Sequence, residues 1–542
     1  MSPPDASVTL SILRAAPILA VSLALLSGSA HGFPVQLGDV PPSLDTIPVP
    51  RPPDLFRFVK NEAAAIRLGK ALFWDQQVGS DGRTACATCH HSAGVDSRTK
   101  NALNPGVNGV FETVGPGSLL RPLHFPILTD DVVGSQGVVD QAFVSIDFGG
   151  RIDDGLPASD PLFGLHPQVT RRNSPSVINS IFNRENFWDG RAKNSFNGRD
   201  AAGSGAGASV LQALADGRVL AIAIDLIDSS AASQSVEPPN DGVEMAWSGR
   251  TFADIGKKLL ALRPLATQQI HPQDGALGLL RDPSGMGLRV TYSRLVQEAF
   301  REEWWRSNAI CDRDGNQIGN GIPRGLDEFS LMESNFSLFW GLAIQLYEAT
   351  LVSSNSPFDR FARGNPGALT ANQQRGLELF LGGRTHCATC HGGSELSHAT
   401  VNNAGKEFAF ASIGVDLSTE DGGRNGLFKT PQLRNVELTG PYFHNGKYAT
   451  LRQVVDFYDR GGDVHNNSIE PLGLDESEKN ALVDFMIALT DQRVRFQRSP
   501  FDHPSLNPVN RAPLPAVGAR GTIAPLPTFL GLSPFNPVLR PR

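Results

Sequence analysis

Cys86-Ala87-Thr88-Cys89-His90 is the stretch on which the reading of this chain turns, and it recurs letter for letter as Cys387-Ala388-Thr389-Cys390-His391. Two cysteines spaced by two residues and followed directly by histidine form the attachment signature of c-type haem. The spacing lets both thiols reach the two vinyl groups of one porphyrin. The next side chain then lies under the iron, where an imidazole nitrogen serves as proximal ligand. A single copy also reads as a zinc or redox CxxC. Two copies, each with its histidine, point to two covalently bound haem c groups, with His90 and His391 as iron ligands.

The rest of the sequence agrees with an exported haem protein. Arg14 precedes an apolar run over residues 15–30 that ends in small residues, which reads as a signal peptide over 1–32. The expected location is periplasmic, with no membrane span after leader cleavage. A formal net charge of −7 offers no electrostatic footprint for nucleic acid. Of the five cysteines, the two motifs use four. Cys311 is left without an intrachain disulfide partner and reads as an inert thiol.

Periodicity predicts helices over about 61–73, 335–351 and 370–381. Thr450 is a cap for a helix over 451–458, and Asp475 with Glu478 forms a capping pair for a helix ending near 489. Residues 91–172 read as long loops. Residues 196–243 read as an insertion, and the proline-rich tail at 498–542 as a surface wrap. The expected fold class is mainly α: two cytochrome c-like helical haem domains packed face to face, with long loops and an insertion. The N-terminal haem domain would span 33–362 and the C-terminal one 363–497.

The sixth iron ligand separates electron transfer from chemistry. Met486 is the usual type of partner, but it lies on the apolar stripe Leu482-Phe485-Met486-Leu489 and reads as core. Tyr458 faces the buried side of its helix and is the better candidate. His398, His444 and His465 are weaker rivals.

Five segments carry a family resemblance: LGKALFWDQQVGSDGRTACATCH (68–90), RNSPSVINSIFNRENFWDGRA (172–192), Val243-Glu244-Met245, SPFDRFARGNP (356–366) and LRNVELTGPYFHNGKYATLRQVVDFYDRGG (433–462). The chain resembles the bacterial di-haem cytochrome c peroxidases. Tyrosine at 458, where typical members carry methionine, places it with the MauG-like branch. The resemblance implies that the His90 haem reacts with hydrogen peroxide and that the His391 haem passes electrons to it. It implies that Trp188 lies between the two and relays electrons, and that Glu244 does acid–base work on peroxide. It also implies a calcium ion held by the Asn173 side chain and the carbonyls of Thr439 and Pro441, all hard oxygen donors. His166 sits near the place of a removable distal histidine but in an altered context. Thr385 replaces a branch tryptophan two residues before the second motif. The implied partners are hydrogen peroxide and a small electron-donor protein (a cytochrome c or a cupredoxin) or a protein substrate. The alternatives are a haem oxygenase resembling the rubber oxygenases and a MauG-like oxidase of a protein substrate. An electron carrier without catalysis would need both irons six-coordinate.

Overall fold

The computed structural model describes residues 40–204, 207–415, 426–464 and 468–537. The expected leader and His465 lie outside these. Two helix pairs organise the chain. In the first half, the Glu62–Trp74 helix starts at Asn61, whose side chain accepts the Ala64 N–H. It packs against the Phe336–Glu348 helix, which is buried over its whole length. In the second half, the Ala371–Leu381 helix, capped by Thr370, packs against the Glu476–Ile487 helix, capped by Asp475.

Each crossing turns on one glycine. A Cβ on Gly69 would stand 1.9 Å from the Ala343 carbonyl oxygen, and one on Gly376 would stand 2.0 Å from the Ala481 carbonyl oxygen. Backbone-to-backbone contact of this kind is open only to a residue without a side chain. A haem motif follows shortly after each glycine-bearing helix, as the short helices Cys86–His90 and Cys387–Cys390. The larger core surrounds the first pair and includes Phe58, Tyr292, Phe336 and Trp340. A second core, with Phe358, Phe380 and Phe485, surrounds the other.

Helix predictions hold to within a few residues. The strands were not anticipated. Residues 141–146 and 153–157 form a bulged hairpin within the stretch expected as loops. Ala309–Cys311 is the centre of a three-stranded sheet, and Cys311 is buried there. The apolar run at 219–224 is a strand, Val219–Ile222, paired with Val210–Ala213.

The expected insertion at 196–243 is part of the first core. Phe196, Val210, Ile224, Leu226 and Ala232 join it, and the Ala232 N–H donates to Gln345 Oε1 at 3.1 Å. The tail likewise does more than wrap the surface. Phe501, Asp502, His503, Leu506 and Val517 are buried. Asp502 and Asp274 share the buried ammonium of Lys70, at 3.3 and 2.8 Å, and His503 stacks on Trp74 at 4.6 Å. Proline spacing hides such anchoring because a segment without periodicity still carries single side chains that find burial. Among the described residues, no helix is long and apolar enough to cross a membrane.

Candidate active site: two attachment sites and the seam between them

The side chains at both motifs suit haem. His90 donates its Nδ1–H to the Gly94 carbonyl at 2.8 Å, and His391 donates to the Leu396 carbonyl at 3.3 Å. Because a carbonyl can only accept, each bond fixes the tautomer and leaves Nε2 with its lone pair for a metal. Burial holds both imidazoles neutral, with His391 pushed down to about 4. The four motif cysteines are free thiols. Burial raises their pKa values, Cys89 to about 12 and Cys387 to about 11. In the folded chain they therefore stand as neutral thiols. Phe73 lies 6.4 Å from the His90 ring and 5.5 Å from Tyr347, edge on, giving the first site an aromatic wall.

Glu244 lies at the first site. Its charge acts on both Cys86 and Cys89. The segment after Gln136 holds it there: the Gln136 carbonyl lies 3.8 Å from Cys89 Sγ, and the Val138 N–H donates to the Val243 carbonyl. Gly137 passes so close to Glu244 that a Cβ there would meet its Cα at 2.7 Å. Desolvation, reinforced by the nearby Asp241 charge, raises the Glu244 carboxyl to about 8. A second carboxyl unnoticed in the sequence, Glu348, also acts on Cys86. It is buried, accepts a bond from Ser180 at 2.8 Å, and is raised by burial to about 8. His166 is exposed and packs against Gly117, as expected of a loop histidine.

At the second site, Tyr458 lies on the Leu451–Asp459 helix. Burial raises its pKa, and the charges of Cys387 and Cys390 add to the rise. Its hydroxyl makes no hydrogen bond among the described residues, and the half-buried ring packs against the cluster of Val415, Tyr448 and Phe457. Met486 is buried in the second core. Thr385 is buried beside its motif and bonds the Leu379 carbonyl.

Trp188 lies on the seam between the halves. Its indole N–H donates to the Asn173 carbonyl at 2.8 Å, and its ring meets His444 edge on at 6.3 Å. The seam is built from two copies of one segment. Residues 173–192 and 429–448 match without a gap, pairing Asn173 with Lys429, Pro175 with Pro431, Asn179 with Asn435, Phe187 with Phe443, Trp188 with His444 and Gly190 with Gly446. The backbones agree. Asn179 and Asn435 are left-handed, at φ 63° and 60°, and so are Phe187 and Phe443, at 61° and 70°. The two copies exchange equivalent bonds: Asn173 N–H to the His444 carbonyl at 2.7 Å, and Lys429 N–H to the Trp188 carbonyl at 2.6 Å. The Pro175 and Pro431 carbonyls each lie close enough to the histidine of their own half to act on it. The signal was present in the sequence as N-x₇-F-x₂-G, but it is too thin to find without the backbone.

Of the expected calcium ligands, the structure brings together Asn173 and Pro441. The amide group donates to the Pro441 carbonyl at 2.6 Å and to the Phe443 carbonyl at 3.3 Å. Turned over, the amide would present its oxygen. Thr439 lies two residues before Pro441.

The geometry thus defines a protein with two c-type haem sites joined by an aromatic seam. The comparisons give the family. The di-haem cytochrome c peroxidase (MauG) family model matches residues 63–269. The chain is 36% identical over 520 residues to the cytochrome-c peroxidase IdrP1 of Denitromonas iodatirespirans, covering 89% of this chain and 93% of that one. It is 37% identical over 174 residues to IdrP2 of the same organism, a match that spans 27% of this chain and about half (47%) of that relative. A solved MauG-like protein associated with microbial copper homeostasis is 19% identical, with a TM-score of 0.48, covering 84% of this chain and 96% of that one. The chain belongs to the di-haem cytochrome c peroxidase family, and is an oxidoreductase of that class.

Proposed function

We propose that the chain reduces hydrogen peroxide to water at the Cys86/Cys89/His90 site, with electrons arriving by way of the Cys387/Cys390/His391 site. Glu244 carries this reading. It is a carboxyl whose charge acts on both thiols of the first pair, and burial raises its pKa to about 8. When bound, haem supplies redox-active iron at each site. The protein supplies the protons and the path. Glu244 takes a proton from one peroxide oxygen and returns it to the departing one, so that two electrons and two protons complete two waters. Trp188, in van der Waals range of His444 and hydrogen-bonded to the first half, relays electrons across the seam.

The finer architecture follows. Two cytochrome c-like domains, 33–362 and 363–497, would face one another across the seam, with 498–542 as an added tail. Asn173, Thr439 and Pro441 would hold calcium there, with the Asn173 amide turned to present its oxygen. The enzyme would be periplasmic after loss of residues 1–32, and would draw on a small cytochrome c or cupredoxin. The unbonded Tyr458 hydroxyl favours the MauG-like branch, and with it a protein substrate as the second reading.

Replacing Glu244 with glutamine tests the proposal. Peroxide turnover should fall by roughly 10²–10⁴-fold. The wild-type rate should rise with pH through about 8, as the carboxyl ionises, and the variant should lose that limb. Unchanged turnover and an unchanged profile would remove Glu244 from the chemistry.

A further inference from the structure

The two seam segments differ sharply at one matched position. Asn173 places its amide on the Pro441 and Phe443 carbonyls. Lys429 occupies the same place in the other copy and is 5% exposed. Its backbone N–H is committed to the Trp188 carbonyl. Its ammonium, however, bonds to neither of the matching carbonyls, those of Glu185 and Phe187, nor to any other described residue. Desolvation is the single influence on it, pushing its pKa down to about 8. A buried cation without an anion is costly to fold around, and the usual remedy is a paired, hydrogen-bonded counter-charge.

The anion that the two motifs bring to this region is the carboxylate edge of a porphyrin. Lys429 is two residues before Pro431, whose carbonyl is near enough to His391 to act on it, so its segment runs beside the second haem site. The propionates leave the ring on the edge opposite the thioether bonds. We propose that Lys429 Nζ is the counter-ion of a propionate of the haem held by Cys387, Cys390 and His391, docking that edge beside Trp188. This rests on the di-haem reading. The first copy offers a neutral amide at the same place, so the pair makes the two haem environments electrically unequal. A fixed cation beside the second haem favours its reduced state.

The test uses the purified holoprotein, after two covalent haems per chain have been counted. Fewer than two would sink the di-haem reading and this inference together. With two present, Lys429→Met should shift the propionate bending modes in resonance Raman and lower the midpoint potential of the second haem only. Lys429→Arg should keep the potential near wild type. Modes and potentials unchanged in Lys429→Met would overturn the inference while leaving the di-haem reading intact. If that variant fails to fold, a crystal structure of the wild-type holoprotein decides. Nζ within hydrogen-bond distance of a propionate oxygen supports the assignment, and Nζ bonded to the Glu185 or Phe187 carbonyl, or to water alone, overturns it.

Discussion

At the scale of single residues, the site is a set of polar groups denied their ordinary partners. Tyr458 illustrates this. Its phenol makes no hydrogen bond among the described residues, and ligation of iron is the role proposed for it. Replacing Tyr458 with phenylalanine should therefore change the visible spectrum of the second haem and leave that of the first alone. An unaltered spectrum would make it a core residue. Glu244 and Tyr458 could be singled out in the sequence because each lies in a run of family-like neighbours. Glu348 and Lys429 were not. Nothing adjacent in the sequence marks a carboxyl that folding will bury beside Cys86, or an ammonium that it will leave unpaired. Their character comes from packing, which a one-dimensional pattern does not carry.

At the scale of elements, buried charge holds loops to helices. Asp359 and Arg434 are both fully buried and pair at 2.8 Å. Asp359 also caps its own helix through Ser356 and accepts from Ser43, while Arg434 donates to the Ser394 carbonyl beside the second motif. Asp359→Ala would strand the guanidinium, at a cost of about 3–5 kcal/mol, measurable as a lower urea midpoint. Glu348, at the end of the Phe336–Glu348 helix, gives a pH signature. Its folded pKa of about 8 stands above the ordinary 4.5, so between these values the folded chain holds a proton that the unfolded chain has released. Its contribution is full below pH 4.5 and is lost as pH rises through 8. Glu348→Gln should flatten the decline in unfolding midpoint between pH 5 and 9, and an equally steep decline in the variant would assign it to other groups. Helices were readable because their caps and apolar spacing are local. The hairpins were not, because short strands in a glycine-rich stretch take their register from distant partners, such as the Ser248 carbonyl that receives the Phe143 N–H.

At the scale of the whole molecule, two halves share one seam, and the tail binds to both. Arg511 reaches His91 at 2.6 Å beside the first motif, while Thr450, at the start of a second-half helix, donates to the Asn536 carbonyl at 2.5 Å. The duplication was visible in the sequence as two pentapeptides, and the rest of it became visible only through matching backbone angles. A chain ending at Arg498 should still carry two covalent haems, since all four cysteines precede that point. It should unfold at lower urea, with the first haem more open to exogenous ligands. An unchanged urea midpoint would make the tail an ornament. Its anchoring also sets an order of events. Chains emerge from synthesis N-terminus first, so Cys86 and Cys89 appear well before the residues of 498–537 that pack beside their motif. The first attachment site thus stays more open while the chain is being made, and its surroundings are completed only when residues 498–537 join the fold.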